Sequence, residues 1–336
     1  MDTPTHGLIG RLVARSIWPE KSDTGLVNVV TICSVLPDLD VLLPGGGLDG
    51  LVTHRGISHS VFGTALGAMA VAWIVQRMIL NDRSFGQVYV AAFFGMLIHI
   101  FFDVVTTYGT LIFAPFSDYR VAIDTLFIID PYLDLMLIAG LLLGWLYKQV
   151  MYRWATWVLV GYVVFCALVT GVGHFQVRSW AAYNDVVIDR LAVMPTPFSP
   201  LHRRSMVVSG SKVFLVSVSL FRGADGYVEE FVEARSDRRL KALWNSPSGA
   251  IYGWFVRFPI VQEIDGNQNF LMVQDLQFMP RPTGLGWLGS WVAGLALDHG
   301  IGVFERRIFA LEIELDQADQ IVKMIYLGQN GERYPL

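Results

Sequence analysis

Long apolar stretches dominate the first half of the chain and constrain its fold more than any other feature. A helix needs about 20 apolar residues to cross the ~30 Å hydrocarbon core of a bilayer. Residues 1–175 contain only 21 Lys, Arg, Asp or Glu residues, whereas residues 176–336 contain 33. The sequence therefore predicts an α-helical integral membrane domain followed by a water-exposed domain. Four transmembrane helices are expected, at Val61–Leu80, Val88–Thr106, Leu126–Tyr147 and Trp154–Phe175.

Two shorter segments precede the first predicted span. A helix that begins near Thr3 would place Leu8, Leu12 and other apolar residues on one face, which is typical of a helix lying in the membrane surface. The stretch Leu26–Val35 is too short to span and runs into Pro37, so we expect a half-buried or re-entrant helix. Residues 1–175 are accordingly predicted to form one transmembrane domain that binds metal.

The second half has the pattern of a β domain. Residues 176–205 include the proline-rich run 195–200 and are predicted to be a linker. Turn signals such as Asp265–Asn267 then separate β-type stretches, which predicts a mainly antiparallel soluble domain over residues 206–336. A Gly- and Trp-rich insertion, Gly284–Gly294, is a candidate contact with the membrane interface. Six strands are expected, at Met206–Phe221, Tyr227–Ala234, Ile251–Ile264, Phe270–Phe278, Phe304–Asp316 and Ile321–Leu327.

Charge and cysteine content exclude several classes of protein. The net charge of −4, with no basic block, gives no support for a nucleic-acid partner. Two cysteines, Cys33 and Cys166, are too few for a disulfide framework or a thiolate metal site. Any metal would therefore be held by imidazole and carboxylate groups.

Ionisable side chains inside the predicted spans require an explanation, because an unpaired one costs several kcal/mol in a bilayer. His99 and Asp103 are four residues apart, so they lie about one turn apart on one helix face. A neutral imidazole and a carboxylate so placed can bind one cation, although a structural hydrogen bond is the commoner role of such a pair. His59 would begin the first span, behind Ser58 as its N-cap, on the membrane side where Asp103 ends the second. This agreement favours a metal site at one membrane face.

The motifs resemble those of the YdjM/YbcI-like membrane-bound metal-dependent hydrolases. The resemblance rests on Thr5-His6, on Pro37–Asp40 (PDLD), on His54–Ser60 (HRGISHS) and on His99–Asp103 (HIFFD). It covers residues 1–175 best. It implies an integral protein of a bacterial inner or plasma membrane, a bound divalent metal and hydrolytic activity.

Seven side chains are candidate metal ligands, which is enough for one or two ions. Imidazole and carboxylate donors fit zinc, with manganese or iron as alternatives. Asp38 and Arg55 are the candidate catalytic residues, and Arg55 would hold an anionic substrate oxygen or, alternatively, anchor the chain at lipid headgroups. Asp130 and Asp134 are candidate partners that orient the histidines. The seven predicted ligands are His6, Asp38, Asp40, His54, His59, His99 and Asp103.

The expected activity is attack of a metal-activated water on a phosphoester or a lipid-type ester at the membrane face. Its partners would be a small-molecule or lipid substrate and the surrounding membrane lipids. Two alternatives remain open: a metal-ion or proton transporter, and a non-catalytic membrane scaffold whose soluble tail binds a partner. A transporter needs polar groups through the depth of its spans and usually an internal repeat, which here would require an oligomer.

The basic residues of the loops predict the orientation. Arg77 and Arg83 follow the first predicted span and Lys148 and Arg153 follow the third, whereas residues 107–125 contain only Arg120. Short basic loops favour the cytoplasm, so we expect the metal cluster and the soluble tail on the external side. A reporter fused after Leu336 tests this prediction, and a fusion that is active only in the cytoplasm would contradict it.

Overall fold

The computed structural model describes residues 1–42, 45–279, 286–298 and 307–336. The chain divides into two compact units. The first comprises Met1–Pro44 and Thr53–Leu168 and is helical; the second comprises Gly45–Val52 and Val169–Leu336 and contains an antiparallel sheet. The predicted fold class, membrane helices followed by a β domain, is confirmed.

Ten α-helices form within the described part of the chain. Three 3-10 segments of the first unit, Lys21–Asp23, Leu36–Leu42 and Ile57–His59, lie between helices. The helices are α1 (Thr3–Ile17), α2 (Thr24–Cys33), α3 (Asp49–Thr53), α4 (Val61–Met78), α5 (Phe85–Val104), α6 (Pro131–Leu146), α7 (Val150–Tyr183), α8 (Lys241–Trp244), α9 (Pro247–Phe255) and α10 (Gly286–Asp298).

Four helical stretches among the described residues are long and apolar enough to cross a membrane. Three of them are α4, α5 and α7, which correspond to the first, second and fourth predicted spans. The fourth is Lys21–Leu42, where α2 continues into the 3-10 segment that contains Pro37, and this stretch is longer than the re-entrant helix predicted there. Proline is compatible with the first turn of a helical segment, so Pro37 does not end the stretch.

The third predicted span is shorter than expected. Helix α6 has only 16 residues because it begins at Pro131. Asp130 is its N-cap and accepts hydrogen bonds from the backbone N–H groups of Tyr132 and Leu133, at 3.0 and 3.2 Å. The carboxylate predicted inside a span is therefore the cap that starts the helix.

Helix α1 is part of the helical bundle. It packs against α2, α5 and α6, and Ile9, Leu12 and Ala14 on its apolar face are buried. The amphipathic pattern that predicted a helix on the membrane surface thus describes a helix whose apolar face contacts other helices. Such a pattern alone does not distinguish the two environments, because each buries one face.

Two glycines let α2 approach both of its neighbours. A Cβ on Gly10 of α1 would lie 2.1 Å from Ser34 Oγ, and a Cβ on Gly95 of α5 would lie 2.5 Å from the backbone oxygen of Val30. Both distances are too short for a real contact. Small residues at these positions therefore hold the end of α2 between α1 and α5.

The second unit is built on a nine-stranded antiparallel sheet in which each strand pairs with the next along the chain. Strand β3 is buried on both faces: Val213 and Leu215 belong to one apolar cluster, and Val216 and Val218 belong to another that includes Val177 of α7. The strands are β1 (Arg190–Thr196), β2 (Ser199–Ser209), β3 (Lys212–Ser219), β4 (Gly223–Glu233), β5 (Pro259–Ile264), β6 (Asn267–Asp275), β7 (Ala310–Leu315), β8 (Ile321–Leu327) and β9 (Arg333–Pro335).

Several strand predictions need correction. The stretch Met206–Phe221 is a hairpin of β2 and β3 that turns at Gly210, whose φ is +56°. Burial on both faces removed the alternation that would have shown the turn. The stretch Ile251–Ile264 contains the end of α9 before β5, and β9 was not predicted. The Asp265–Asn267 turn is confirmed between β5 and β6.

The predicted linker, residues 176–205, contains the end of α7, β1 and the start of β2. Its proline-rich run surrounds the tight connection between those two strands, which explains why it has the composition of a turn. The first two residues of the predicted insertion Gly284–Gly294 lie outside the described residues, and its remainder belongs to α10. Residues 304–306 of the fifth predicted strand also lie outside the described residues.

Replacing Gly95 by alanine should destabilise the helical unit. The added Cβ would overlap a backbone oxygen of α2, and overpacking of this kind costs about 1–3 kcal/mol of unfolding free energy. A Cβ added to Gly86, also in α5, would have no atom within 4 Å, so Gly86→Ala is the matched control and should gain at most about 1 kcal/mol. Thermal unfolding in detergent measures both; equal effects would contradict the close approach.

Candidate metal centre

Five side chains of the helical unit converge into what we call the His/Asp cluster: His6, Asp38, His59, His99 and Asp103. Ligand atoms of His6, Asp38, His99 and Asp103 all lie within 4.8 Å of one another. His59 Nε2 lies 3.0 Å from His99 Nε2 and 3.3 Å from Asp103 Oδ2. All but Asp38, whose side chain is 11% exposed, are completely buried.

The cluster lies where several helical segments begin or end. His6 is in the first turns of α1, and Asp38 is in the 3-10 segment after α2. His59 directly precedes α4, and Asp103 is in the last turn of α5, one turn after His99. Because α4 and α5 are antiparallel neighbours in sequence, the start of one and the end of the other meet at the same end of the unit.

Ser34 fixes the orientation of His99. The Nδ1–H group of His99 donates to the backbone oxygen of Ser34 at 2.8 Å, so the Nε2 atom of the neutral ring carries a lone pair. Ser34 also approaches α1, since its hydroxyl lies 3.0 Å from the backbone oxygen of His6. This serine therefore connects helix packing to the direction of a candidate ligand.

Asp40 organises the second layer of the site. Its Oδ1 atom lies 2.9 Å from His54 Nδ1, and its Oδ2 atom accepts from the Ser58 hydroxyl and the Arg55 backbone N–H, both at 2.9 Å. His59 Nδ1 is 3.2 Å from the same oxygen. An ionised carboxylate only accepts hydrogen bonds, so Asp40 favours the His59 tautomer that carries its proton on Nδ1. The Nε2 atom, which faces His99 and Asp103, then has a lone pair.

Arg55 balances the charge of Asp103. Its Nη2 atom lies 2.9 Å from Asp103 Oδ1, and its Nη1 atom donates to Thr106 Oγ1 at 3.3 Å. The guanidinium group also stacks on the Tyr108 ring at 4.8 Å. The backbone of Arg55 has a φ of +58°, a conformation unusual for a residue with a side chain. Its hydrogen bonds to Asp40 and to the Leu111 N–H stabilise this conformation.

The arrangement of donors fits a divalent cation. Four atoms bound about 2.1 Å from a tetrahedral ion lie about 3.4 Å apart. The Nε2 atom of His99 is 3.4 Å from Asp103 Oδ2 and 3.5 Å from Asp38 Oδ1, and His59 Nε2 is 3.7 Å from that Asp38 oxygen. Within the described part of the chain, Asp103 Oδ2 has no hydrogen-bond donor although it is buried. The converging lone pairs therefore match the chemistry of a metal site.

The pKa values of His6 and His59 are shifted in opposite directions. Burial lowers the pKa of His6 to about 3, which keeps its ring neutral. Burial also opposes a charge on His59, but its interactions with the carboxylates of Asp103, Asp38 and Asp40 outweigh this effect and raise its pKa to about 10. In the absence of an ion, a proton on His59 would thus supply the positive charge that the carboxylates require.

Some predicted site residues lie outside the His/Asp cluster. His54 lies beside the cluster, with 6.0 Å between the centroids of its ring and the His59 ring, and its side chain is 25% exposed. His54 and Asp40 both lie outside the cluster, on the side of His59. Asp130 and Asp134, predicted to orient the histidines, instead contact Tyr162 Oη and Thr5 Oγ1, both at 2.6 Å.

Sequence reasoning missed some of the polar residues that hold the ligands. Ser60, not Ser58, is the N-cap of α4, and the Ser58 hydroxyl contacts His59 Nδ1 at 2.9 Å. Thr3 donates to Asp38 Oδ2 at 2.6 Å. The Ser58 contact had a visible signal, since Ser58 is within the motif His54–Ser60, whereas nothing near Ser34 in sequence indicates its contact with His99.

A comparison with known families agrees with this geometry. The profile of the YdjM inner membrane protein family matches residues 1–177, which include the whole His/Asp cluster. The chain belongs to this family. The predicted family and the inner-membrane location are therefore confirmed, and the β domain lies almost entirely beyond the part that defines YdjM proteins.

One curated relative extends the comparison. The uncharacterized protein YfhP of Bacillus subtilis (strain 168) is 24% identical over 149 residues, which cover 42% of this chain and 45% of YfhP. The chain thus spans less than half the length of that relative. No solved structure matches the chain.

Metal binding can be tested at Asp38 and His99. Asp38→Asn and His99→Ala should each lower the zinc or manganese retained after purification, because the first removes the negative charge of a candidate ligand and the second removes its imidazole. Asp134→Asn is the matched control, since an amide oxygen can still accept the bond from Thr5. Elemental analysis measures all three; metal content equal to that of the wild type in every variant would contradict the ligand assignment.

The structure also predicts the outcome at Asp103. The sequence alone suggests that Asp103→Ala would insert readily, because it removes an ionisable group from a span. Arg55 would then lose the partner of its buried charge, and breaking a buried pair costs about 3–5 kcal/mol. We therefore expect Asp103→Ala to unfold in detergents that leave His99→Ala folded. The double variant Asp103→Ala/Arg55→Met should recover stability although it binds no metal.

Proposed function

We propose that this protein is a membrane-bound metal-dependent hydrolase that cleaves a phosphoester or a lipid-type ester. The observation that carries the proposal is the convergence of two imidazole and two carboxylate groups, from His59, His99, Asp38 and Asp103, with donor separations of 3.0–3.7 Å. Such a mixed donor set suits zinc, with manganese or iron as alternatives. A divalent ion held there would supply an acidified water and polarise the bond to be cleaved.

The residues around the cluster would divide the remaining tasks. Asp38 is the least buried member and would face the substrate, whereas His6 and Asp103 lie deeper. Arg55 is buried and paired, so its role would be to position Asp103 rather than to bind a substrate anion. This assignment replaces the sequence-based expectation for Arg55.

His54 is the candidate for proton transfer. Its Nδ1–H group donates to Asp40 Oδ1 at 2.9 Å, which leaves the Nε2 atom of the neutral ring able to accept a proton. It is also the most exposed histidine at the site, as expected for a group that meets the substrate. His54 and Asp40 would thus take or return the proton of the attacking water or the leaving group.

The position of the polar groups favours hydrolysis over transport. The cluster lies at one end of the helical unit, and the buried residues that α4 contributes along its length are Thr64, Ala68 and Ala72. A transport pathway would instead require ionisable groups through the depth of the spans. This distribution supports a site that works at one membrane face.

Hydrolysis by purified protein tests the proposal. Protein reloaded with zinc or manganese should hydrolyse bis(p-nitrophenyl) phosphate or p-nitrophenyl esters, and Asp38→Asn should abolish the activity. Asp40→Asn should lower metal affinity or activity about 10- to 100-fold, as expected for a residue that orients a ligand. Activity that survives in Asp38→Asn, or none with any metal and ester, would refute the hydrolase.

A further inference from the structure

Exposed apolar side chains lie beside the segments that carry the cluster. We define the apolar rim as Leu39, Ile57, Phe113 and Phe116, each at least half exposed or nearly so, with Phe116 reaching 80%. Leu39 lies between Asp38 and Asp40, and Ile57 precedes His59 by two residues. The same short 3-10 segments therefore direct ligands inward and apolar groups outward.

Backbone hydrogen bonds connect the turn that contains Phe113 and Phe116 to the site. Leu111 donates to the backbone oxygen of Arg55 at 3.2 Å, and Val61 donates to that of Ile112 at 3.1 Å. These bonds hold the turn that contains Phe113 and Phe116 against the segment that supplies His59. The rim is thus a fixed part of the site.

The rim continues into the membrane-facing surface of α4. Phe62, Leu66, Met69 and Trp73 recur at helical spacing on one face of this candidate span, and all four are exposed. The Phe116 ring contacts the Phe62 ring, with 5.5 Å between their centroids. An apolar path therefore leads from the middle of a span to the polar groups of the cluster.

Two ionisable groups of the site are partly exposed. Asp38, next to Leu39 of the rim, is 11% exposed, and His54, three residues before Ile57, is 25% exposed. A water-soluble substrate would gain nothing from an apolar path that begins in the bilayer. An amphiphile would bury its chains on that path while its polar head reaches the cluster.

We propose that the apolar rim seats the acyl chains of a membrane lipid whose ester or phosphoester headgroup enters the His/Asp cluster. This inference rests on the proposed hydrolase function and assigns its substrate to lipids taken directly from the bilayer. The rim is continuous with the surface that the bilayer already covers, which is why a lipid fits it better than a soluble partner.

A quenching experiment tests whether the rim meets acyl chains. Both native cysteines are buried, so a bimane label on Phe116→Cys can be placed selectively. Full-length protein is reconstituted in phosphatidylcholine vesicles with or without bromine on the acyl chains. Met69→Cys, in the middle of α4, and Asp82→Cys, beyond its opposite end, are the references. Quenching at position 116 should resemble that at 69; quenching no greater than at 82 would overturn the proposal.

A kinetic experiment tests whether the rim selects the substrate. Phosphatidyl-p-nitrophenol in micelles and bis(p-nitrophenyl) phosphate in solution are compared as substrates of the metal-loaded protein. Phe116→Asp should lower the preference for the lipid, as a ratio of kcat/KM values, by roughly tenfold or more, because it removes one large apolar contact. Phe85→Asp, an equally drastic change at the other end of the unit, should leave the ratio nearly unchanged.

The outcomes separate the two proposals. If Phe116→Asp slows both substrates equally, the rim does not select lipids and this inference fails while the hydrolase stands. If the metal-loaded wild type cleaves neither substrate, the hydrolase itself is refuted, and the lipid assignment with it. Loss of metal from Phe116→Asp would also overturn the inference, because the rim would then be a structural support of the cluster.

Discussion

The buried carboxylate of Asp103 is the constraint on which the helical unit depends. An ionised group at zero exposure persists only if other groups compensate its charge and satisfy its oxygens. Arg55 provides the opposite charge, His6 approaches the same oxygen at 3.2 Å, and the α-amino group of Met1 also contacts it. Two distant parts of the sequence, the segment of His6 and the segment of Arg55, must therefore meet at the end of α5, and this requirement constrains how the surrounding segments pack.

Much of the fold could be predicted because the bilayer imposes a simple length requirement. The stretches that became α4, α5 and α7 are long and apolar, so their positions follow from hydropathy alone. The β domain was harder, because strands buried on both faces, such as β3, lose the alternation that identifies them. The helix α9 had a local signal that went unused, since Ser246 and Pro247 have the pattern of an N-cap followed by a first-turn proline.

The residues of the site were easier to predict from the sequence than their positions within it. Spacing and the polarity of the spans identified His99 and Asp103, and the shared membrane side added His59. Whether a histidine points into the cluster or away from it depends on hydrogen bonds to distant backbone and side chains. The contact between His99 and the Ser34 carbonyl joins residues 65 positions apart, which no local pattern reveals. The ion pair of Arg55, a candidate anion-binding group, with Asp103 likewise joins residues that no local pattern connects.

The long separation between partners has a consequence for biogenesis. Asp103 is synthesised 97 residues after His6, and Arg55 lies between them. The first two helices therefore leave the ribosome before the carboxylate that one of them contacts exists. During that interval their polar groups need water or the translocation machinery as temporary partners, since hydrocarbon would not tolerate them unpaired. The bundle can therefore close only once α5 has been made.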